Sequence, residues 1–194
     1  INYISSSILR HLKKDNHVYH GIAGQFFFYD ISHLLKVRII ADFDDRVRAE
    51  AERENISLDQ ARAQLKHDDE ERQKWAMVLY GIDIVDPELY DLVINLSSIG
   101  VSEAVNLIAS ASHQECFQPT EETQKKIEDL ALAAEIRAAL FDFPTAGVSA
   151  HDSRARIAIK APEDQAQAIT ERIEDAVKII SSLKELKIRV DPYF

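Results

Sequence analysis

Residues 65–95, LKHDDEERQKWAMVLYGIDIVDPELYDLVIN, constrain this chain most. The stretch opens as a charged helix with Lys66, Asp69 and Arg72, and Gly81 and the Asp86-Pro87 turn interrupt it. It ends on the apolar run Leu92-Val93-Ile94, short enough for a buried strand. A cationic helix followed by a buried strand points to a phosphate-handling lid beside a parallel sheet.

Lys66, Asp69 and Arg72 recur at intervals of three, so a helix places them on one face. Two cations there can meet a phosphate while the carboxylate orients an arginine or a sugar amide. Arginine suits the task because its planar fork binds phosphate oxygens in pairs. Arg46, Arg48, Arg53 and Arg62 precede them and extend the set. The competing reading is a solvated surface helix whose cations pair with Asp68, Glu70 and Glu71.

Upstream, residues 3–14 place Ile4, Ile8, Leu9 and Leu12 on one side of a helix. The short run 17–20 reads as a strand ending at Gly21, and Gly21 and Gly24 would permit close backbone approach. Phe26, Phe27 and Phe28 read as core. Residues 34–41, LLKVRIIA, form the clearest strand, and Asp42 is placed to cap a helix through Glu54. Ser57 with Gln60 makes a capping-box pattern for the next helix, whose apolar stripe of Leu58, Ala61 and Leu65 is thin enough for a movable lid. Ser102 would cap a further short helix to Ser110, with Ala104, Val105 and Ile108 inward.

The character changes after a turn-rich linker at 111–120. Residues 121–141 give an amphipathic helix, 156–160 and 186–190 alternate as strands, and Ala166, Ile169, Ile173, Val177 and Ile180 form the cleanest helical stripe. Pro162 suits the first turn of that helix. The expected organisation is an α/β domain at 1–110 and a small αββαβ sandwich at 121–194.

The net charge of −10 argues against general nucleic-acid binding, which needs clustered cations. No apolar run reaches the roughly 18–20 residues of a membrane-spanning helix. A lone Cys116 fits a reducing cytoplasm. His11, His17, His20 and His33, with Asp30 nearby, lack a metal-site spacing, so no metal is assigned. A chain that starts at Ile1 and has Met77 as its only methionine reads as part of something longer.

The succession YHGIAGQFFF, SHLLKVRIIADFDDRVRAEAE and ISLDQARAQLKHDDEERQKWAMVLYGIDIVDPELYDLVINL resembles the cytidylate kinase-like family of P-loop nucleoside monophosphate kinases, over its back half and about residues 1–110. The resemblance implies a parallel sheet flanked by helices, with ATP and Mg²⁺ as cofactors. It implies γ-phosphoryl transfer to a nucleoside monophosphate. Asp69 and Arg72 match lid residues that contact phosphates and acceptor, and Arg46 matches the arginine after the central strand. Arg53, Arg62, Gly21 and Gly24 complete the expected nucleotide- and phosphate-binding set. Two departures stand out: the family's Gly-Arg-Asp is replaced by Gly21-Ile22-Ala23, and an Arg-Asp pair by Leu65-Lys66. The phosphate loop GxxxxGK followed by Ser or Thr does not occur in these residues, which by themselves should therefore not be a kinase. Two functions stay open: a nucleotide kinase in the full-length form, or a degenerate nucleotide-binding or ligand-sensing module without catalysis. A nucleotide is the expected ligand, and self-association is an open mode for the C-terminal part. That part weakly resembles the αββαβ domains called BON, which are linked to membrane or ligand association.

Overall fold

The computed structural model describes residues 2–21, 24–26, 28 and 31–193. In chain order the elements are α1 (Asn2–Leu12), β1 (Val37–Ile40), α2 (Phe43–Glu54), α3 (Leu58–Tyr80), β2 (Leu92–Asn95), α4 (Val101–Ser112), α5 (Glu121–Ala139), β3 (Gly147–His151), β4 (Arg154–Pro162), α6 (Ala166–Val177) and β5 (Glu185–Tyr193). They form two compact units. Gly21–Gln118 makes one; Ile1–His20 together with Pro119–Phe194 makes the other. This division departs from the expected boundary near 110, because α1 packs on α5. Leu9 on α1 is buried, and the Gln124 side-chain amide donates to the Lys13 carbonyl at 2.7 Å.

In the unit 21–118, β1 and β2 pair in parallel with Val37 opposite Leu92 and Ile40 opposite Asn95. β1 is shorter than the apolar run 34–41 that contains it, while β2 takes in Asn95 after its apolar run. Their carboxyl ends are tied together: the Asp42 amide donates to Ser97 Oγ at 2.8 Å, and the Ser97 amide donates to Asn95 Oδ1 at 2.9 Å. Asp42 holds the N-cap position of α2 but makes no side-chain cap bond; its carboxylate accepts from Asn95 Nδ2 at 3.4 Å instead. Asn55, left-handed at φ 54°, turns α2 into α3. The capping box forms as read, with the Gln60 amide donating to Ser57 Oγ and the Ser57 amide to Gln60 Oε1. Gly81 ends α3 at φ +66°, a conformation glycine adopts without a Cβ penalty.

Helices α2 and α3 pack on each other, with Val47 of α2 and Ala61 of α3 buried. Further along α3, Trp75 and Tyr80 meet Phe26: the Phe26 and Tyr80 rings stack 4.4 Å apart, and Trp75 meets Tyr80 edge-on at 5.5 Å. Phe26 and Phe28 are buried as expected, while Phe27 lies outside the described residues, as do Ile22, Ala23 and Asp30. Residues 17–20 are not a strand; they follow two left-handed residues, Asp15 and Asn16, and carry no ladder partner. The helix expected from Ser102 starts two residues earlier, with Gly100 as its N-cap, and Val105 faces outward rather than in.

In the other unit, α5, β3, β4, α6 and β5 follow in that order. The sheet order is β3-β4-β5, antiparallel across the hairpin and parallel between β4 and β5. Along β4, Ala155, Ile157, Ile159 and Ala161 are buried while Arg154, Arg156, Ala158 and Lys160 face out. The inner face packs on Leu132 and Ile136 of α5 and Ile173 and Val177 of α6. Pro162 closes β4 ahead of a short turn, so α6 begins later than Pro162 suggested. Among the described residues, no helix is long and apolar enough to cross a membrane.

Candidate phosphate-binding cleft

The carboxyl ends of β1 and β2 open onto a cleft of about 760 Å³ that α3 borders on one side. In an open parallel sheet, this end of the strands is where ligands bind, since the chain crosses from strand to helix there. Ile39, Ile40, Phe43, Ile84 and Val85 give the cleft apolar walls. Arg38, Arg46, Lys66 and Arg72 bring four cations to it, against the carboxylates of Asp69 and Glu70. A local cationic excess in a chain of net charge −10 is the arrangement a small anion would select.

The strongest contact in the cleft joins two helices. Arg46 on α2 donates from Nη1 and Nη2 to the two oxygens of Asp69 on α3, both at 2.8 Å. Arg72 approaches the same carboxylate at 3.9 Å. The hydrogen bonds from Arg46 hold the Asp69 carboxyl below the usual carboxylate range; the fields of Arg46, Arg72 and Arg38 add to this and partial burial opposes it. The same bonds raise Arg46 above its ordinary value. Arg38 sits 5.6 Å above the Tyr90 ring, and Tyr90 is fixed by donating its hydroxyl to the Ile84 carbonyl at 2.9 Å. Burial pushes the Tyr90 phenol up. Arg46 also flanks the Phe43 ring at 5.9 Å, which fixes its stem beside the strand end.

The structure therefore gathers Arg46, Lys66, Asp69 and Arg72 at one opening. Arg53 and Arg62 do not line it. Arg53 is held by Glu50 at 2.7 Å and Glu54 at 3.3 Å on its own helix, and Arg62 by Asp44 at 2.7 Å. Gly21 and Gly24 are not among the lining residues either; Gly24, itself buried, opens a 3-10 turn. Arg38 is the lining cation that the reading of the sequence passed over. Its signal was a charged residue in the middle of the apolar run LLKVRIIA, which marks one face of that strand as outside the core.

The donor set suits phosphate oxygens, which Arg72 and Lys66 can reach without breaking a close pair. It does not suit a divalent cation: both oxygens of Asp69 already accept from Arg46, which leaves Glu70 as the one other carboxylate of the lining, among four cations. No step through Mg²⁺ follows from these residues.

Comparison with known proteins agrees with the pattern. The model of the cytidylate kinase-like family matches residues 1–98. The cytidylate kinase of Desulfurococcus amylolyticus is 38% identical over 76 residues, 39% of this chain and 41% of that protein. That of Thermococcus kodakarensis is 32% identical over 77 residues, 40% of each. That of Sulfolobus acidocaldarius is 31% identical over 110 residues, 52% of this chain and 60% of that protein. The chain thus spans between 40% and 60% of the length of these relatives. No solved structure gives a significant match.

Proposed function

The chain belongs to the cytidylate kinase-like family, and we propose that its cleft receives the phosphate of a nucleoside monophosphate, with CMP as the first candidate. In the full-length protein this would serve ATP-dependent phosphoryl transfer. The observation that carries the reading is the meeting of Arg46, Lys66, Asp69 and Arg72 at the carboxyl ends of two parallel strands. Lys66 and Arg72 would neutralise the phosphate, and Asp69 would keep the Arg46 fork aimed across the opening. Such a site works by positioning and charge neutralisation rather than by covalent steps. Helix α3 would be the lid, because its buried anchors are only two alanines, Ala61 and Ala76.

These residues hold no phosphate loop, so binding without turnover is the expected behaviour of the 194 residues alone. The same observation favours a second reading, a nucleotide-binding module without catalysis. Calorimetric titration with CMP tests the cleft. Replacing Arg72 by Ala should weaken CMP by about tenfold or more, the worth of a charge-assisted hydrogen bond. CMP binding unchanged in both Arg72→Ala and Lys66→Ala would defeat the assignment. Turnover of ATP and CMP by the full-length protein then separates the kinase from the module.

A further inference from the structure

We propose a second anion site, on the outer face of the sheet β3-β4-β5, that takes a small soluble phosphate compound the size of a nucleotide or sugar phosphate. Strand register puts Ser149, Arg156 and Lys187 in one row across the three strands, and Gly147, Ala158 and Arg189 in the next. All six are exposed, while their neighbours along the strands are buried or half-buried. The small residues Gly147, Ser149 and Ala158 leave a shallow floor, and a groove of about 500 Å³ lies over it, rimmed by Arg156, Lys187 and Arg189.

The charge pattern is what asks for a ligand. Arg156 and Lys187 stand directly opposite each other. Like charges so placed destabilise a sheet. Two other cations of the face are paired, Arg189 to Asp191 at 2.8 Å and Arg154 to Glu185 at 3.5 Å. Lys187 shares Glu185 at 3.4 Å, and Arg156 has no ion-pair partner among the described residues. A phosphate seated between Arg156 and Lys187, accepting from the Ser149 hydroxyl as well, would relieve the repulsion. The volume falls in the range of small-molecule sites, roughly 300–1,000 Å³. The lining holds no exposed large apolar side chain to enter a bilayer and no aromatic ring to stack a base, which favours a compact soluble ligand over a lipid surface or a nucleic acid.

The test is amide chemical-shift mapping of the full chain titrated with inorganic pyrophosphate, against sodium chloride at matched ionic strength. The expected result is saturable movement of Ser149, Arg156 and Lys187 amides, weakened by about tenfold in Arg156→Gln/Lys187→Gln. Arg156→Gln alone should raise the melting temperature without pyrophosphate and lose the rise that pyrophosphate gives the unmodified chain, a pairing that a merely structural arginine would not produce. Movement confined to Arg46, Lys66 and Arg72, or equal to that in chloride, overturns the proposal. So does retention of vesicles of phosphatidylglycerol that needs Arg156 and Lys187 while pyrophosphate leaves Ser149 unmoved. Because the two sites share no residue, loss of CMP binding at the cleft leaves this result independent.

Discussion

Asp69 carries the balance of charge in the cleft, and its protonation decides whether Arg46 is held. Its folded value lies below the unfolded carboxylate value of about 3.9, so the pair stabilises the protein above that pH. The contribution is lost as pH falls through the folded value. Both partners are partly exposed, with side chains 30% and 40% accessible, so solvent screens the pair. We expect Asp69→Asn to lower unfolding free energy by about 0.5–1 kcal/mol at neutral pH, with the difference in urea titrations starting to shrink as pH falls through about 4. A difference that does not shrink at all on acidification would assign the loss to packing instead. The spacing of Lys66, Asp69 and Arg72 was legible because one helix sets it. The Arg46 partnership was not, since it spans 23 residues and depends on how two helices close. Arg53 and Arg62 misled for a related reason: nearby Glu50 and Asp44 claim them, and only the folded hairpin reveals which cations remain for the cleft.

At the scale of elements, helix α3 was readable at both ends because each end is set by local chemistry: a capping box at Ser57 and Gln60, a left-handed glycine at Gly81. Ser57→Ala leaves the first-turn donors of α3 without that partner and should cost about 1 kcal/mol. Gly81→Ala should cost a similar amount, roughly 1 kcal/mol, through backbone strain alone. No heavy atom lies within 4 Å of where the new Cβ would stand. Chemical denaturation of both variants checks this, and a Gly81→Ala protein as stable as its parent would mean that the end of α3 rearranges freely. The start of α4 was misread because Ser102 is a better cap by type than Gly100, yet the Glu103 carboxylate lies where a Cβ at position 100 would stand, space that glycine leaves open. The run 17–20 was misread because four residues of β-like composition without a partner strand have nothing to pair with.

Across the whole molecule, the family match and the packing draw different lines. The match covers residues 1–98, whereas the compact α/β unit begins at Gly21, and α1 lies with the C-terminal unit. Sequence could not show this. The apolar positions of α1 specify that one face is covered but not by which helix, and the covering partner α5 is more than a hundred residues away. Leu9 decides the matter experimentally. It is 3% exposed, so Leu9→Ala should cost about 2–3 kcal/mol, toward the lower end for buried leucines because α1 can settle onto α5. The location of the loss matters more than its size. Local opening lowers hydrogen-exchange protection only in the cooperative unit that holds the contact. Leu9→Ala should therefore raise exchange in α5, whose Thr120 and Thr123 cap is the end nearest the Gln124 bond to Lys13. Helix α3 and the cleft should keep the protection of the parent. Exchange that rises in α3 instead would place α1 with the cleft, as the family match alone suggests, and would overturn the division of the chain described above.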